Sequence, residues 1–256
     1  MSRLSIFLLL LITGFGVSCD DSESTSELPT EKVFEGTIIS VGDGTAWSRV
    51  TLGPDGKPSE VAAVFTSGAL RNLPGGHGHA HEFVLAMPSD ASVEPYDHIT
   101  LDWNAHGHAP PGIYDVPHYD IHFYFIDAAE RDLIGPHDST EFNRPLPESM
   151  LPPMYIETPG GVPRMGAHVI DALSPEIAGT GAFTHTFIYG KYDGEINFVE
   201  PMAAMTFLES KERAMRSIRR PDNYGLSGYF PGEYVIDYDQ ISDTYSVSLM
   251  DLRQYD

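Results

Sequence analysis

Hydrophobic and polar residues alternate with a period of two along most of this chain. VFEGTIISV at 33–41, AWSRVTL at 46–52, EVAAVFT at 60–66, EFVLAM at 82–87 and HITLDW at 98–103 carry the pattern. FTHTFIYG at 183–190, INFVE at 196–200, EYVIDYD at 233–239 and TYSVSLMDL at 244–252 repeat it later. Such alternation sends successive side chains to opposite faces of a β-strand. The runs are separated by turn chemistry: GDG at 42–44, GPDG at 53–56, YDG at 192–194 and YFPG at 229–232. Helix is sparse. DAAERDL at 127–133 is worth about two turns, and FLESKERAMRSIRR at 207–220 reads as one longer helix or as a strand end followed by a short one. The pattern predicts a mostly β fold, a sandwich or barrel of antiparallel sheets with long loops and one or two short helices. The β-rich domain spans 33–256, and the proline-rich stretch at 144–155 is either a sub-boundary or a long ordered loop.

VPHYDIHFYFI at 116–126 is the most informative run. His118, Asp120, His122 and Tyr124 fall on one face, and Tyr119, Ile121, Phe123 and Phe125 on the other. The second face is a core face. The first carries two imidazoles and a carboxylate, groups that bind metals or move protons. On a strand, residues i and i+2 lie about 6.5–7 Å apart and i+4 about 13 Å. Asp120 can therefore share an ion with His118 or with His122, whereas His118 and His122 share one only across a bulge. HxxxH spacing suits a helix better, but Pro117 and the aromatic alternation oppose helix. A complete site needs partners from elsewhere: His108, His168, His185 and Glu200 are available. The alternative is a hydrogen-bonded network that ties loops to a sheet. An unsatisfied buried polar group costs about 1–3 kcal/mol, so His118 and His122 are expected to converge with His168 and His108 around one polar volume.

The N-terminus changes the picture of where the protein works. Arg3, the apolar run Ile6 to Ile12 and GVSC at 16–19 read as an export signal over residues 1–18. The apolar run is shorter than the roughly 20 residues a membrane-spanning helix needs. GVSC resembles a bacterial lipobox, with Gly16 where Leu or Val is usual, and predicts lipidation of Cys19. Cys19 is the only cysteine, so no intramolecular disulfide forms. Residues 19–32 then form a disordered acidic tether, and a lipid on Cys19 attaches the domain to a membrane, in the periplasm or on the cell surface. The formal charge of −22 becomes −23 once Arg3 is removed, 14 basic residues against 37 acidic. A chain this acidic repels phosphate backbones, which argues against nucleic acid as a partner.

Other motifs say less. GGHGHAHE at 75–82 places His77, His79 and His81 in a glycine-rich loop that collects metal adventitiously. It superficially resembles a cupin HxH…E pattern, but Glu82 follows too closely. DYDQISD at 237–243 lacks the glycine and the closing glutamate of an EF-hand and reads as a hairpin turn. GxSxG, Gly-rich phosphate-loop and HExxH motifs do not occur.

WNAHGHAPPGIYDVPHYDIHFYF at 103–125, VPRMGAHVID at 162–171, FIYGKYDGEINFVEPM at 187–202 and GYFPGEYVIDYD at 228–239 are similar to a family of secreted bacterial proteins of unknown function, typified by one under an extracytoplasmic stress sigma factor. The likeness runs over about residues 33–252. It implies a secreted, β-rich, homo-oligomeric protein and no established reaction. The polar positions that match are His108, His118, Asp120, His122, His168, Asp193 and Glu200. Val169 stands where the family has Trp, His185 where a small or polar residue is usual, and the loop at 77–81 lies outside the family pattern.

Three functions fit these observations. One is an envelope protein whose histidine/carboxylate cluster (His108, His118, His122, His168, Asp120, Glu200) binds a divalent metal, zinc first, or ties down a pocket for a small molecule. Another is a metal-dependent hydrolase or lyase in which Asp120 or Glu200 acts as base. The third is a purely structural homo-oligomer deployed in envelope stress.

Overall fold

The computed structural model describes residues 30–76 and 80–256. The export signal, Cys19, all but the end of the tether, His77 and His79 lie outside the described residues. In chain order, Lys32–Glu35 (β1), Ile39–Val41 (β2), Gly44–Leu52 (β3) and Pro58–Thr66 (β4) open a first sheet. The next seven strands make the second sheet: His81–Ala86 (β5), His98–Asn104 (β6), His118–Tyr124 (β7), Tyr155–Glu157 (β8), Ala167–Asp171 (β9), His185–Tyr192 (β10) and Glu195–Ala204 (β11). The chain then returns to the first sheet with Ala214–Ser217 (β12), Glu233–Asp239 (β14) and Thr244–Met250 (β15). Gly228–Phe230 (β13) and Arg253–Tyr255 (β16) pair as a small ribbon. The first sheet runs β1-β3-β4-β15-β14-β12 with β2 beside β3, and the second runs β5-β6-β7-β11-β10-β9-β8. All pairings are antiparallel and both sheets keep free edges, so the fold is a sandwich and not a closed barrel.

The inner faces follow the period of two. Val61, Ala63 and Phe65 of β4 and Val247 and Leu249 of β15 pack into one core with Ile99 and Leu101 of β6 and Tyr119, Ile121 and Phe123 of β7. Phe65 meets Tyr119 at 5.9 Å between ring centroids, and Phe187 stacks on Tyr234 at 5.7 Å, both across the sheets. Phe123 is fully buried there. Phe123→Ala should cost about 3–5 kcal/mol in a urea melt. A loss under about 1 kcal/mol would mean that this face does not carry the core.

Three short helices occur among the described residues: Ala128–Leu133 (α1), Ser139–Phe142 (α2) and Met205–Ser210 (α3). Asp127 caps α1, its carboxylate accepting the Glu130 N–H at 2.7 Å. The long helix considered for 207–220 does not form. Lys211 adopts φ +58° and ends α3, after which Ala214 is buried and the chain pairs with β14 as β12. The run at 33–41 is likewise two strands, because Gly36 lies so close to Ser48 and the Ala86 carbonyl that no side chain fits. Residues 144–155 contain one 3₁₀ turn and connect into β8 of the same sheet as β7.

The outer face of the second sheet is what matters for function. All seven residues of β6 and all seven of β7 are buried, polar ones included. Loops cover them. Tyr114 and Phe183 pack over the His118 end with Ile188, Met202 and Ala204, and Arg131 of α1 lies 4.9 Å over the Tyr124 ring at the other.

Candidate metal centre

Register builds the site. On β6, alternation puts His98, Thr100, Asp102 and Asn104 on the outer face, all buried. Their partners on β7 are Tyr124, His122, Asp120 and His118 in that order. On the other side, β11 sets Phe198 beside Tyr124 and Met202 beside Asp120, which brings Glu200 next to His122. Three adjacent strands thus present a continuous polar strip under the covering loops.

Two groups of ligand-type atoms form on this strip. In the first, His108, His118 and Asp120 converge, with one nitrogen or oxygen from each within 4.8 Å of the others. His108 Nε2 lies 3.1 Å from Asp120 Oδ2, and His118 Nε2 lies 3.0 Å from Asp120 Oδ1. Each imidazole turns its Nδ1 to a backbone carbonyl, His108 to Ala109 at 2.7 Å and His118 to Val116 at 2.6 Å. Asn104 Nδ2 donates to Asp120 Oδ2 at 2.7 Å. In the second group, His122, His168 and Glu200 meet within the same 4.8 Å limit. His122 Nε2 lies 3.3 Å and His168 Nε2 3.7 Å from Glu200 Oε2. His122 Nδ1 faces Asp102 Oδ2 and Thr100 Oγ1, each at 3.3 Å. The sulfur of Met165 lies 3.3 Å from His168 Nε2.

Three of the four histidines therefore hold their Nδ1 on a carbonyl, carboxylate or hydroxyl and point Nε2 at a carboxylate. A ring whose Nδ1–H is donated outward offers a lone pair at Nε2, as in metal-ligating histidines oriented by an outer partner. Four atoms in these groups, His118 Nε2, Asp120 Oδ1, His122 Nε2 and Glu200 Oε2, are buried and close without completing a hydrogen bond. Each orphan costs about 1–3 kcal/mol. Against a typical net stability of about 5–15 kcal/mol, four are too many to leave unsatisfied. A cation between them would satisfy them, so the residues present fit a divalent metal.

Without a metal, protons must neutralise the strip. Burial would raise the Asp120 carboxyl, but His118 and His108 outweigh it and hold it well below the carboxylate range. Burial opposes charge on His108 and His122, yet Asp120 on the first and Glu200 with Asp102 on the second push both up to about 9. His118 is raised by Asp120 against the same burial. His168 is lowered, by burial first and then by the charges of His122 and His108, while Glu200 opposes. Burial raises Asp102 to about 7 despite His122.

The structure brings together all six residues expected at the site, but as two groups and not around one volume. His118 and His122 point the same way from a straight strand, too far apart to share an ion. His118 recruits His108, and His122 recruits His168 and Glu200. Asp193 is not part of either. It lies in the turn of the β10–β11 hairpin at φ +54°, with Gly194 at φ +82°, and pairs with Arg144. Its motif position is explained by turn geometry. His185 sits on the opposite face, its Nδ1 2.8 Å from the Tyr234 hydroxyl. Glu82 is engaged by Arg131 and Arg164 at 3.0 and 3.1 Å and is no ligand. Asp102, Thr100, Asn104 and Met165 were missed. The first three were legible in the alternation of HITLDWN, whereas nothing in the sequence marks Met165.

Comparison with known proteins adds one likeness. Residues 53–103 match the family model TTHB210-like, described as hypothetical protein TTHB210. No curated protein and no solved structure matches the chain. The matched stretch covers β4, β5 and nearly all of β6, hence Thr100 and Asp102 but none of the six converging residues. It supports similarity to a family without an assigned activity. The wider likeness over 33–252, with its secretion and stress control, goes beyond that match.

Gly190 is a point of close approach. A Cβ there would lie 2.0 Å from the Phe198 ring, which spans the space between His122 and His168 at 5.0 and 6.1 Å. Gly190→Ala should destabilise by about 1–3 kcal/mol and weaken any metal bound by His168. Unchanged stability with unchanged metal content would count against this packing.

Proposed function

We propose that this protein is an exported, lipid-anchored envelope protein that binds divalent metal, zinc first, on the outer strip of its second sheet. The observation that carries the metal reading is the set of four buried, converging and unsatisfied atoms of His118, Asp120, His122 and Glu200. Two histidines and one carboxylate in each group suit zinc, and also suit iron(II). The test is elemental analysis of untagged protein with residues 77–81 deleted, so that the histidine-rich loop contributes nothing. The expected result is between one and two equivalents of zinc per chain. Metal-free protein that takes up none on dialysis against zinc would sink the metal reading and leave a hydrogen-bonded structural network.

A metal-dependent hydrolase or lyase is the second reading, favoured by two observations. His108 and His168 are 31 and 22% exposed while the other members are buried, so each group has a solvent side. Three protein ligands leave a fourth position, as in catalytic zinc sites. Asp102, poised near 7 beside His122, holds a transferable proton.

Export, lipidation and homo-oligomer assembly rest on GVSC, on Cys19 and on the family resemblance. Cells fed a radioactive fatty acid should label the wild type and not Cys19→Ser. Equal labelling of the two, or none in either, rejects the lipid anchor.

A further inference from the structure

A cavity of about 270 Å³ opens at the side of the sandwich where β8–β10 of the second sheet face β12 and β14 of the first. Its walls include the rings of Tyr155, Phe187 and Tyr234, the guanidinium-bearing Arg216 and Arg219, and Ser174. None of the six converging histidines and carboxylates lines it.

The charge inside is unusual for a chain with a formal charge of −22. Arg219 is already neutralised, since it pairs with Asp171 and also donates to the Pro153 carbonyl. Arg216 has no carboxylate partner among the described residues; its guanidinium reaches only the Met215 carbonyl, at 2.9 Å. His185, also in the wall, adds no charge, because burial and Arg216 push it down to about 4. Glu176 accepts from the Tyr114 hydroxyl and is not among the residues that line the cavity. One uncompensated positive charge therefore faces the cavity. Ser174 supplies a second, independent sign: it is 7% exposed and its buried Oγ has no hydrogen-bond partner. Aromatic rings on one wall with convergent polar groups on another are features that ligand sites share.

We propose that this cavity binds a small aromatic carboxylate, its head group on Arg216 and Ser174 and its ring among Tyr155, Phe187 and Tyr234. A monoanion matches the single free charge better than a phosphate dianion, and the guanidinium fork matches a carboxylate. The volume limits the ligand to about the size of a substituted benzoate.

The test uses the full chain in EDTA, so that a carboxylate on a metal at the histidine strip cannot contribute. The probe is 4-fluorobenzoate, followed by ¹⁹F NMR line broadening. The wild type should bind it saturably, and Arg216→Gln should weaken binding about tenfold or more, the loss of one charge-assisted contact. Ser174→Ala should weaken it by a smaller factor, with melting temperatures of both variants near the wild type because Arg216 is exposed and Ser174 makes no side-chain bond. The neutral 4-fluorobenzamide should not bind, and inorganic phosphate should not displace the probe. No saturable binding, equal binding by Arg216→Gln, equal binding of the amide or displacement by phosphate would each overturn the assignment.

Discussion

Zinc at about a thousandfold over its dissociation constant should stabilise the metal-stripped protein by about 4 kcal/mol for one site. At about 2–4 °C per kcal/mol for a domain of this size, the melting temperature should rise by roughly 10 °C. The two groups predict a further distinction. His118→Ala removes a ligand only from the group with His108 and Asp120, and His122→Ala only from the group with His168 and Glu200. Each variant should lose one class of zinc binding and keep the other in a calorimetric titration. The gain should also depend on pH. Neutral imidazoles are the ligands, so affinity should fall steadily as the pH drops below about 9, where His108 and His122 take up protons. His108 and His122 hold protons up to about pH 9 in the stripped protein, so binding at neutral pH should release protons, visible as a heat that changes with the buffer. An unchanged melting temperature across the zinc titration would mean that the strip is closed by hydrogen bonds alone.

How much of this was legible in the sequence depends on whether the cause is local. The two faces of β7 were legible because a period of two is a property of one strand, and Tyr119, Ile121 and Phe123 do enter the core. Lys211 was not, because nothing in its immediate sequence reports that Ala214 will be drawn against the edge of the first sheet. The division of the histidines follows the same rule. Strand geometry alone says that His118 and His122 cannot share an ion, yet which partner each one finds is fixed by register and by loops. Glu200 arrives through β11, His168 through β9 across Gly190, and His108 through a loop closed by the His108 N–H on the Tyr114 carbonyl. None of these is local. The family resemblance named the six residues that converge without their grouping, and it included Asp193, which lies in a turn away from both groups.

Glu200→Gln in the stripped protein should be the most costly of the isosteric changes. Gln fills the same volume, so packing is preserved and the charge alone is lost. His122 is fully buried between Glu200 and Asp102. Removing one partner of a buried pair costs about 3–5 kcal/mol, because the other is left uncompensated. Linkage gives a similar size. His122 rises from 6.5 to about 9, on the order of 3 kcal/mol at about 1.4 kcal/mol per unit. Asp102 remains beside the ring and retains part of the stabilisation, which places the expected loss at the lower end of that range. The sign follows from the raised pKa. This contribution is fully present below pH 6.5, where the histidine is charged in both states, and it is lost as pH rises through about 9. Stability of the stripped wild type should therefore fall between pH 6.5 and 9, and Glu200→Gln should flatten that slope. The two proteins should converge by about pH 9.5, measured by urea melts across the range. A deficit in the variant that persists undiminished at pH 9.5 would place the loss in packing and remove the electrostatic account of this strip.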